Sequence, residues 1–111
     1  MVTEMDCYNW NDVPEEEMTP SITRQVIHTP QITILRVQFK KGAFVPLHDH
    51  VHEQITTIVS GALRLATASE EVVLGPGGIL RIPSNVPHLA EALKDTVGID
   101  IFSPARTDWQ K

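Results

Sequence analysis

His48-Asp49-His50-Val51-His52-Glu53-Gln54 places three of the chain's five histidines on every second residue and closes the series with a glutamine. Successive side chains of an extended strand alternate faces, so this spacing predicts that His48, His50, His52 and Gln54 project together while Asp49, Val51 and Glu53 point the other way. Several neutral imidazole nitrogens converging on one wall are what a transition metal ion requires. A further histidine, His88, closes the downstream run Pro83-Ser84-Asn85-Val86-Pro87-His88.

On both sides of the histidine stretch the chain breaks into short β-type runs. Residues 22–28 end at Thr29-Pro30, and residues 32–39 end at Lys40-Lys41-Gly42. The histidine strand continues towards Ser60-Gly61, residues 62–67 and 71–74 flank a turn near Ala68-Ser69-Glu70, and Gly75-Pro76-Gly77-Gly78 precedes residues 79–82. Residues 88–93 and 96–102 supply the last strands, divided by Lys94-Asp95. Roughly eight or more short strands with almost no helical periodicity predict an all-β, closed or double-sheet antiparallel barrel. Several runs are apolar on both faces, among them Ile55 with Ile58 and Val59, and Ile99 with Ile101 and Phe102. A half-solvated sheet alternates more cleanly, so a sheet face is expected to be covered, in part by the N-terminal arm and for the rest by a second copy of the chain as a homodimer.

The chain has 111 residues, enough for one domain, with an N-terminal arm over residues 1–20 and the barrel over 21–111. Trp10 is the expected anchor of the arm, and residues 11–18 contain cap-type residues suited to one short helical turn. A formal charge of −5 and a pI of about 5.4 leave no electrostatic footprint for nucleic acid. Cys7 is the single cysteine, which excludes an internal disulfide framework and fits a reducing compartment. Residues 1–18 are acidic, without the basic start and apolar run of a signal peptide, and no apolar stretch approaches membrane-spanning length. The expected location is cytoplasmic, with no membrane partner.

The spacing of the two motifs resembles the cupin superfamily. Gly42, His48-Asp49-His50, Gln54 and Gly61 match its first motif, and Gly77 with Pro83-Ser84-Asn85-Val86-Pro87-His88 matches its second. The resemblance implies a single-domain jelly-roll β-barrel, also called a double-stranded β-helix, with one divalent metal held by His48, His50, Gln54 and His88. Two positions depart from the pattern. Gln54 stands where a glutamic acid is usual, leaving the metal's charge uncompensated and suited to an anionic substrate. Asn85 stands where glycine is usual, and asparagine tolerates the left-handed backbone best among the other residues. Imidazole and amide ligands suit zinc, nickel, iron, manganese or cobalt. His52 shares the ligand face by parity, but four ligands are already supplied by the two motifs, which leaves it metal contact or a pocket-lining, substrate-binding or structural role.

A narrower resemblance lies in His50-Val51-His52-Glu53-Gln54 and in Asp100-Ile101-Phe102-Ser103-Pro104-Ala105-Arg106-Thr107-Asp108-Trp109. These runs are similar to the small KdgF-type cupins of pectin and alginate breakdown, which convert 4,5-unsaturated monouronates into open-chain keto uronates. The resemblance implies that Asp100, Phe102 and Arg106 complete the pocket, with Asp100 and Arg106 catalytic and Phe102 and Arg106 against the substrate. From the residues alone, Gly98, Asp100 and Phe102 share one strand face, so Asp100 faces either the pocket or solvent. Arg106 follows Pro104 into a loop, where its plain reading is a surface charge. Two other functions fit a metal cupin: a different enzyme such as a dioxygenase, or a non-catalytic sugar-binding sensor.

Overall fold

The structure, a computed structural model, describes residues 4–109. Residues 1–3 of the arm and 110–111 of the domain lie outside the described residues. Among the described residues, ten strands form two antiparallel sheets: β1 (Glu16–Thr19), β2 (Ile22–His28), β3 (Thr33–Phe39), β4 (Phe44–His48), β5 (Glu53–Ser60), β6 (Leu63–Ala66), β7 (Glu71–Leu74), β8 (Ile79–Ile82), β9 (His88–Ala92) and β10 (Thr96–Ser103). The larger sheet runs β1-β2-β3-β10-β5-β8 and the smaller β4-β9-β6-β7. This is the double-sheet antiparallel architecture that the spacing of strands and turns predicts, in the jelly-roll form that the resemblance implies.

Alternation fixes which face meets the interior. On β3 the buried positions are Thr33, Leu35, Val37 and Phe39, with Ile34, Arg36 and Gln38 on the other side. On β6 of the facing sheet Leu63 and Leu65 are buried. These side chains and Ile58, Ile82, Ala92 and Phe102 fill the space between the sheets, as two packed β-layers require.

Two local features differ from the expectation. Residues 16–19 are a strand that pairs with β2 through Glu16↔Arg24 and Thr19↔Ile22, so the arm extends the larger sheet. The expected cap lies one turn earlier: the Asn9 side chain accepts the Asn11 N–H and starts a 3-10 turn over Trp10–Asp12. Gln25 donates to the carbonyls of both Trp10 and Val13, at 2.7 and 2.9 Å, and ties the arm down.

The histidine stretch is not one continuous strand. β4 ends at His48 in the smaller sheet and β5 begins at Glu53 in the larger, so residues 49–52 are the bend that carries the chain between layers. Alternation along a single strand is therefore not the cause of the clustering described below.

Candidate metal centre and cavity

His48 on β4 stands directly opposite His88 on β9 in the smaller sheet, with ring centroids 4.3 Å apart. His50, in the bend, brings its ring to 5.1 Å from that of His88. The second motif is docked on the first by backbone: the Asn85 N–H donates to the His50 carbonyl at 2.8 Å. Asn85 has φ 63°, the left-handed conformation expected for it.

The three imidazoles offer ligand nitrogens within 4.8 Å of one another. Their tautomers follow from their neighbours. Nδ1 of His48 faces the Pro46 carbonyl at 2.9 Å, Nδ1 of His50 the His52 carbonyl at 2.9 Å, and Nδ1 of His88 the Val86 carbonyl at 2.8 Å. A carbonyl only accepts, so each Nδ1 carries the proton and each Nε2 presents a lone pair. Burial is the largest influence on His50 and His88 and pushes both pKa values below 6.5, towards the neutral form.

Two observations show that this donor set fits a divalent cation. The His88 Nε2 is buried without a hydrogen-bond partner among the described residues. Nε2 of His50 and Oε1 of Gln54 lie 3.1 Å apart, two acceptors brought together with no proton to share once His50 is neutral at Nε2. A cation between such lone pairs relieves both defects.

Gln54 lies on the inner face of β5, and its Nε2 donates to Thr56 Oγ1 at 2.9 Å. The Thr56 hydroxyl in turn donates to Asp100 Oδ1 on β10 at 2.7 Å. Burial pushes the Asp100 carboxyl up from 3.8 to about 6, against the opposing effect of hydrogen bonds from Thr56 and Gln54. Asp100 lines a cavity of about 420 Å³ together with His48, Gln54, His88, Phe102 and Arg106. The remaining walls are largely apolar, with Leu35, Val37, Phe39, Leu63 and Leu65.

Arg106 follows β10 in a loop, but it is buried rather than a surface charge. Its backbone N–H donates to Thr33 Oγ1 at 2.8 Å. Nε and Nη2 donate to the two oxygens of Asp108 at 3.0 and 2.8 Å, which holds the Asp108 carboxyl below its usual range. The guanidinium lies 3.9 Å from the Trp109 ring centroid and 4.9 Å from that of Phe102, a cation–π arrangement. Arg24 of β2 also reaches the cavity and stacks on the same Trp109 at 4.5 Å.

The structure thus brings His48, His50, Gln54 and His88 together and sets Asp100, Phe102 and Arg106 at the same cavity. His52 is the exception. It is buried but does not line the cavity; its Nε2 faces Asp108 at 3.9 Å and its Nδ1 has no partner among the described residues. The bend carries His52 towards the C-terminal 3-10 turn, Thr107–Trp109, with its ring 5.6 Å from that of His50 and 6.4 Å from that of Phe102, which favours the structural role among those left open for it. Two further residues of the site carry only a weak sequence signal: Thr56, through its alternation with Gln54, and Arg24, a charge two residues from the inward Ile22.

Comparison with known proteins agrees with this architecture. A family model described as a cupin domain matches residues 35–101. The structure of KdgF from Halomonas sp. superposes with a TM-score of 0.83 at 35% identity, over 88% of this chain and 94% of that one. An RmlC-like cupin from Shewanella frigidimarina gives 0.85 at 27% identity, over 96% of both chains. Oxalate decarboxylase OxdC from Bacillus subtilis gives 0.80 at 17% identity over 93% of this chain and 30% of that one, a likeness of fold alone. No curated protein matches the chain. With the family model spanning the barrel from β3 to β10 and both histidine motifs in place, the chain belongs to the cupin family.

Proposed function

We propose that the protein is a metal-dependent enzyme that converts 4,5-unsaturated monouronates, the products of pectin or alginate lyases, into open-chain keto uronates. The observation that carries the reading is the pairing of a cavity-facing carboxyl of raised pKa, Asp100, with the histidine cluster through Thr56 and Gln54. The 35% identity to a KdgF structure supports it.

In such a substrate the C4–C5 double bond is conjugated with the carboxylate and bears the ring oxygen. The net change is an isomerisation: one proton arrives at C4, one leaves the anomeric hydroxyl, and the ring C–O bond opens. A divalent ion held by His48, His50, Gln54 and His88 supplies Lewis-acid stabilisation of negative charge on substrate oxygens. Asp100, with a pKa near 6, is poised to donate and recover a proton near neutral pH. The Thr56 hydroxyl donates to Oδ1 at 2.7 Å and so holds the carboxyl in a fixed orientation at the cavity. Asp108 occupies the Nε edge of Arg106, so the guanidinium receives the substrate carboxylate through Nη1, which has no partner among the described residues. Phe102, 3% exposed, walls the cavity and excludes water.

Loss of the substrate's ultraviolet absorbance, measured against the spontaneous rate, tests the assignment. A wild-type protein that adds nothing to the spontaneous rate overturns it.

The protein is further proposed to act as a cytoplasmic homodimer. Its single cysteine supports the compartment. The outer face of the larger sheet supports the dimer: Ile27, Ile34, Ile101 and Ile55 are in register across β2, β3, β10 and β5. Nearby on that sheet Val59 and Ile79 are 58% and 68% exposed. A continuous apolar face suits a twofold contact. Light scattering that returns only monomer at micromolar concentration contradicts it.

A further inference from the structure

We infer that Thr56 is the positioning residue of the centre, the side chain that fixes the Gln54 amide with its oxygen towards the histidines and joins it to Asp100. The inference rests on the metal centre proposed above and adds to it the residue that sets the fourth ligand.

An amide has two chemically opposite ends of nearly equal shape, and only the oxygen can bind a cation. Something must select the orientation. Thr56 is 2% exposed, and its hydroxyl finds both of its hydrogen-bond partners within the protein. It accepts from Gln54 Nε2 at 2.9 Å and spends its one proton on Asp100 Oδ1 at 2.7 Å. With the hydroxyl proton donated to Asp100 Oδ1, Thr56 Oγ1 has only lone pairs left to offer Gln54, so the polarity of the chain runs from Gln54 Nε2 through Thr56 to Asp100. With the amide reversed, Gln54 Oε1 would face Thr56 and compete with Asp100 for the single hydroxyl proton. Gln54 Nε2 would then meet the His50 nitrogen, where it offers hydrogens and no lone pair. Geometry assists the selection: Gln54 and Thr56 alternate onto the inner face of β5, and Asp100 lies opposite Thr56 in the ladder with β10.

The test uses metal-free protein and zinc alone, with affinity read by competition against a chromogenic chelator. Thr56→Val keeps the shape and removes the hydroxyl; Thr56→Ser keeps the hydroxyl. Changes in groups that orient a ligand typically weaken metal affinity about 10–100-fold, and that loss is expected for Thr56→Val, with Thr56→Ser close to wild type. In a Gln54→Ala background, Thr56→Val is expected to have no further effect on zinc affinity, because the side chain it orients is gone. Circular dichroism establishes that each variant is folded. Unchanged affinity in Thr56→Val, a Thr56→Ser as weak as Thr56→Val, or an undiminished effect in the Gln54→Ala background overturns the inference while leaving the metal centre standing. A wild type that takes up no zinc or other divalent ion overturns the centre and the inference together.

Discussion

Replacing Asp100 with asparagine separates the cost of the carboxyl from its use. The side chain keeps an oxygen that accepts the Thr56 hydroxyl, so the 2.7 Å contact has a substitute. Burial holds the Asp100 pKa at about 6 against an ordinary 3.8. The folded state therefore prefers the protonated acid: its stabilising contribution is whole below 3.8 and is lost as pH rises through 6. At 1.36 kcal/mol per pKa unit the loss is about 3 kcal/mol, and the opening of Asp100 onto the cavity reduces this to about 1–2 kcal/mol. Asparagine does not ionise. Metal-free Asp100→Asn is thus expected to match wild type near pH 4 and exceed it at pH 8, by about 5–10 °C in melting temperature. Turnover of unsaturated uronate is expected to fall about 10²–10⁴-fold in the same variant. Thermal melts across the pH range and the ultraviolet assay measure the two effects. A stability difference independent of pH refutes the raised pKa, and wild-type turnover in Asp100→Asn refutes the proton-transfer role.

Three further outcomes follow from the geometry. Burial lowers the pKa of His50, His52 and His88 below 6.5, so their contribution to stability is whole above 6.5 and lost as pH falls. Metal-free Asp100→Asn, without the opposing carboxyl, is expected to show a lower urea midpoint at pH 5 than at pH 7, and an unchanged midpoint contradicts this. Arg106→Ala is expected to raise KM about 10–100-fold through loss of a charged hydrogen bond, and Arg106→Lys to restore little, since lysine lacks the planar fork and stacking surface; steady-state kinetics decides. At Gly61, φ is 94° and an added Cβ would lie 2.6 Å from the Thr96 Cα, so Gly61→Ala is expected to cost roughly 3 kcal/mol or more in chemical denaturation.

Much of the barrel was legible because buried strands carry their own period. Residues 22–28, 71–74 and 79–82 coincide with β2, β7 and β8. β1 was not legible, because Glu16, Glu17, Met18 and Thr19 are all exposed, and an edge strand held by backbone pairing leaves no alternation to read. The cluster of His48, His50, Gln54 and His88 was recognised by motif spacing, while the strand parity offered for it was not its cause. His48 comes from the end of one sheet, His50 from a bend and Gln54 from the other sheet, and only the fold unites them. Arg106 looked like a surface charge because its burial depends on Asp108, Phe102 and Trp109 closing around it, a set of contacts with no local periodic signal.

The metal centre is tested most directly by anomalous diffraction at the absorption edge of whichever divalent ion elemental analysis finds in the purified protein. A single strong peak per chain is expected, about 2.0–2.2 Å from Nε2 of His48, His50 and His88 and from Oε1 of Gln54. A fully occupied ion elsewhere, or one bound by the histidines with the Gln54 amide turned away, contradicts it.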